Sequence, residues 1–60
     1  MEKETILGRL VEIRKQIDHL EKHALVALAI HDDQAEAYLA YEEIKNLTKT
    51  QRELENQLAA

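Results

Sequence analysis

Apolar side chains recur along the first half of the chain at Ile6, Leu10, Ile13, Ile17, Leu20, Ala24 and Ala27, alternately four and three residues apart. That spacing marks one stripe of an α-helix about three heptads long. The second half carries a similar stripe at Ala37, Ala40, Ile44, Leu47, Gln51, Leu54 and Leu58. The two are out of phase. Extending the first past Ala27 lands on His31, Gln34, Tyr38 and Tyr41, whereas the second begins one residue earlier, at Ala37. A single straight helix would have to rotate its apolar face between residues 30 and 37; a break there explains the change more simply.

Local chemistry favours that break. Asp32 and Asp33 are good N-cap residues, since a short carboxylate accepts from the free amides of the following turn. Asp33-Gln34-Ala35-Glu36 has the spacing of a capping box with Asp in the cap role. No glycine or proline stops the first helix. The pattern predicts an all-α chain of one domain, residues 1–60: helix 1 over about 3–30, a turn at about 31–33, and helix 2 over about 33–58. So short a connection makes the helices antiparallel neighbours. One helix of more than 50 residues in a parallel coiled coil, or a hairpin that opens on binding, are the alternatives the pattern permits.

The apolar surface is wider than the stripes. Leu7, Val11, Leu25, Val26, Leu28, Ile30 and Leu39 lie off them, and Ala24–Ile30 is apolar on every side, as in a buried helix. Each aliphatic side chain taken out of water is worth roughly 1.5–3 kcal/mol. The expectation is a homodimer, or a higher oligomer, in which hairpins pair into a four-helix bundle. Its oligomer or partner interface is expected at Leu25, Val26, Leu28, Ile30, Tyr38, Leu39 and Tyr41. Small Ala24, Ala27, Ala37 and Ala40 would let the helices approach closely near the turn. Gln51 puts a polar group in the second stripe, where it either fixes register or reaches water at the edge. Two helices and a tight turn in about 60 residues resemble the Rop-type hairpin dimers of plasmids. The resemblance is of architecture and implies a dimeric bundle; no residue motif carries a function across.

Composition narrows the function classes. Cysteine is absent, which excludes disulfides and thiolate zinc sites. The longest apolar run has seven residues, against the roughly 20 a membrane span requires. Met1-Glu2-Lys3-Glu4 has mixed charge and no apolar signal core, so a cytoplasmic setting is expected. The net charge is −4. It falls wholly on residues 32–60, where three basic side chains meet seven acidic ones. Such a balance disfavours non-specific binding to nucleic acid or anionic membrane.

No catalytic arrangement is legible, and no enzyme activity is expected. There is no serine, no glycine-rich phosphate loop, and no base at a suggestive spacing from Thr5, Thr48 or Thr50. His19 and His23 share a helical face, but their neighbours on that helix are Lys15, Gln16, Lys22, Val26 and Ala27, none of them a carboxylate. Neither a metal site nor a cofactor is expected, and His31 reads as part of the turn. Carboxylates are accounted for by caps and by the i,i+4 pairs Arg14–Asp18, Asp18–Lys22 and Lys49–Glu53. Arg9, Arg14, Lys15, Lys45, Lys49 and Arg52 fall at similar heights on the two helices, a basic belt that could contact phosphates. Glu12, Asp18, Glu53 and Glu55 interleave with it, and no aromatic is present to stack bases. The expected function is that of a small regulatory or interaction protein binding another protein stoichiometrically. The alternative is an RNA- or DNA-binding hairpin dimer that uses the belt.

Overall fold

The computed structural model describes residues 2–60 and is an antiparallel helical hairpin. Helix α1 spans Lys3–Ala29 and α2 spans Gln34–Ala59. The two lie side by side in a rod of 43 × 14 × 12 Å. Among the described residues no helix is long and apolar enough to cross a membrane.

The seam forms along both predicted stripes. Ile6, Ile13, Ile17 and Leu54 make one buried cluster, with Leu10, Ile44, Leu47 and Leu58 packed against it. Ala24, Ala27, Ala37 and Ala40 make a second, near the turn, with Leu20 against it. Ala24 is 0% exposed although its side chain is a single methyl, so the backbones come close there. No buried residue is polar or charged among those described. Gln51 is half-buried at its stripe position. No buried side-chain nitrogen or oxygen among the described residues lacks a partner, so its amide is solvated.

The turn works without glycine. Helix α1 ends through progressively wider hydrogen bonds. The Ile30 and His31 amides both donate to the Val26 carbonyl, at 2.9 and 3.3 Å, and the Asp33 amide reaches back to the Ala27 carbonyl at 2.8 Å. Asp32 makes the reversal with a φ of 48°, the left-handed region that aspartate tolerates better than most residues. Asp33 then caps α2, its Oδ1 accepting from the Glu36 amide at 3.0 Å. Only this half of the expected capping box forms. The Asp33 amide is already donated to Ala27, and the Glu36 carboxylate is engaged elsewhere.

Candidate functional site

Because a helix turns about 100° per residue, the residue after each seam position falls on one flank and the residue before it on the other. In an antiparallel pair, the "after" residues of both helices share one face of the hairpin and the "before" residues share the opposite face. Contacts across the groove bear this out. His23 precedes Ala24 and Glu36 precedes Ala37; their side chains meet, Nε2 to Oε1, at 2.9 Å. A shallow groove beside them is lined by His19, Leu39 and Glu43, all residues that precede seam positions. Further from the turn, Thr5, Arg9, Glu12, Gln16 and Thr50 line the same side. This is the histidine face. The opposite one, carrying Tyr38 and Tyr41, is the tyrosine face.

The contact between His23 and Glu36 is absent from a reading of helix 1 alone, where His19 and His23 have no carboxylate neighbour. The turn supplies it, since residues 13 apart in sequence become neighbours only once the hairpin closes. The pair stays half exposed, at 47% and 49%, so it contributes at most about 1 kcal/mol. Among the described residues no three histidine, cysteine, aspartate or glutamate side chains are placed to hold a metal ion. Of the expected intrahelical pairs, Arg14–Asp18 forms at 3.5 Å. The other ion pair within a helix joins Lys15 to Glu12 at 3.7 Å, and Asp18–Lys22 and Lys49–Glu53 do not close among the described residues.

All seven expected interface residues are exposed on the single hairpin, between 40% for Leu28 and 71% for Ile30. They do not form one patch. Leu25, Leu28, Tyr38 and Tyr41 follow seam positions and lie on the tyrosine face. Val26 and Leu39 precede seam positions and, with Ile30, lie on the histidine face. Sequence reasoning left Leu7 and Val11 out of the interface, yet both are exposed and both belong to the tyrosine face. The signal was available: each follows a seam residue, as Leu25 and Leu28 do. Six of the nine exposed large apolar side chains among the described residues therefore share the tyrosine face.

The basic belt divides in the same way. Arg9 is on the histidine face, and Arg14, Lys45 and Arg52 are on the tyrosine face. Lys15 and Lys49 lie two steps beyond seam positions; Lys15 leans to the histidine side, lining a groove with Gln16, His19 and Glu43. Lys45, Lys49 and Arg52 still share one open concavity along α2, with Asn46 and Thr48. Comparison with protein-family models, with curated proteins and with solved structures gives no match.

Proposed function

We propose that this chain is a small non-enzymatic interaction protein, acting by stoichiometric protein binding as a helical-hairpin homodimer. One observation carries the reading: among the described residues nine large apolar side chains remain 40–71% exposed, while the seam buries eight residues, four of them alanines. Leaving so much apolar surface wet forgoes stabilisation comparable to a small domain's entire net stability. Association recovers it, and two hairpins forming a four-helix bundle is the simplest closed solution. A regulatory role belongs to the same proposal, the exposed apolar side chains being the surface that binds.

Absolute solution mass by light scattering, from micromolar to millimolar, tests this. The expected result is a helical dimer. A folded monomer throughout that range overturns it. The three cations sharing one concavity on α2 support a second reading, contact with an RNA or DNA backbone. Titration with duplex DNA and with RNA at two salt concentrations decides that reading. Salt-sensitive binding is expected if it holds, and no binding at low salt removes it.

A further inference from the structure

The tyrosine face carries a second stripe along the whole of α1, at Leu7, Val11, Arg14, Asp18, Glu21, Leu25 and Leu28. Its spacing alternates four and three, like the buried seam. Its order is self-complementary on either side of Asp18: two aliphatic residues and a cation before it, an anion and two aliphatic residues after it. Reversed on itself about Asp18, the stripe sets Leu7 opposite Leu28, Val11 opposite Leu25 and Arg14 opposite Glu21.

We propose that the occupant of this face is a second copy of the chain, packed tyrosine face to tyrosine face, with α1 running antiparallel to the second copy's α1 and the two turns at opposite ends. The proposal rests on the dimeric reading above and specifies its face and orientation. Arg14 of each copy meets the second copy's Glu21, giving two equivalent cross-pairs. Asp18 falls opposite its own copy at the centre, and the cation that compensates this carboxylate pair comes from α2. The helix ends at residues 29 and 34 make position i level with position 63 − i, so Lys45 stands level with Asp18 and on the same face. Two copies each of Arg14, Asp18, Glu21 and Lys45 sum to zero charge at the centre. On α2 the same operation, centred at Lys45, sets Tyr38 opposite Arg52, a ring-to-guanidinium contact.

Other arrangements fit worse. Turns at the same end would lay Leu7 and Val11 on Arg52 and Glu55. Parallel pairing of the stripes would set Arg14 on Arg14, Asp18 on Asp18 and Glu21 on Glu21, three like-charge contacts along α1 where the antiparallel arrangement has one. A histidine-face dimer would cover three of the nine exposed apolar side chains rather than six. The footprint is adequate as well. A face of 43 by 14 Å is on the order of 600 Å² before side-chain relief, the lower end of the roughly 600–1,000 Å² per partner in stable interfaces.

Two charge reversals test the geometry. Arg14→Glu alone creates two like-charge pairs with Glu21 across the interface, and Glu21→Arg alone creates two with Arg14. Each variant is expected to dimerise at least tenfold more weakly than the parent. Mixed in equal amounts, they restore both attractive pairs, so a one-to-one heterodimer of near-parental affinity is expected, with helicity recovered if either variant alone has partly unfolded. Contacts within one chain cannot produce that rescue. A parent that dimerises while both variants dimerise equally well, or a mixture no tighter than its components, overturns this geometry and leaves the dimeric reading standing. A parent that is monomeric removes both.

Discussion

Asp32 holds the only positive φ among the described residues, and it does so without being glycine. A side chain with a Cβ in the left-handed region costs roughly 1–2 kcal/mol, less for aspartate than for most residues. Asp32→Gly should therefore raise hairpin stability by about 0.5–1 kcal/mol, the relief being partly offset by added freedom in the unfolded chain. Asp32→Val, β-branched at the same angle, should lower it. Paired thermal melts check both, with a shift of about 4–8 °C per kcal/mol for a domain of this size. Ala24 sits at the opposite extreme, fully covered where the backbones approach. Ala24→Leu inserts three carbons into occupied space and should cost about 1–3 kcal/mol. Denaturant titration reads that loss directly, and an unchanged midpoint would mean the turn end is more open than the burial implies.

Along each helix, stability comes from the seam far more than from the ends. Helix α1 starts at Lys3 with Glu2 in the cap position and no side-chain cap bond, and neither helix has a basic residue in its last turn. Gly8 lies within α1, and a Cβ there would have nothing within 4 Å. Gly8→Ala should add about 0.8–1.0 kcal/mol through helix propensity alone, measured as a higher denaturant midpoint with unchanged slope. A loss instead would mean that another molecule packs where the open space is. The seam was also the most legible part of the fold. All fourteen stripe residues are buried or half-buried, and the phase slip correctly marked the place where the chain reverses. The means of reversal was not legible, because a left-handed aspartate leaves no mark on hydrophobic period. The link between His23 and Glu36 was hidden for a different reason: a stripe read along one helix cannot see the residue that the next helix places beside it. The apolar band after Ala24 misled in the same way. Its composition reads as one patch, while helical rotation sends Leu25 and Leu28 to one face and Val26 and Ile30 to the other.

For the molecule as a whole, the question is how much folding depends on association. The chain presents 4736 Å² to solvent, and its core is a single two-helix seam without a third layer. Domains this small rarely reach more than about 3–5 kcal/mol from one core. If a second copy supplies the missing layer, unfolding and dissociation merge into one equilibrium and apparent stability follows protein concentration. Each tenfold rise in concentration then adds about 1.4 kcal/mol per dimer. With an unfolding entropy of about 2.1 cal/mol/K per residue over two chains, the melting midpoint should climb by about 6 °C per tenfold. Helicity melts at three concentrations spanning a hundredfold range measure this. A midpoint that does not move with concentration, over a range in which light scattering shows dimer dissociating, would mean that the hairpin folds first and that the dimer only covers a finished surface. A climbing midpoint would make the tyrosine face part of the fold itself, and the outer charged backs of the helices would then be the surfaces left free to recognise anything else.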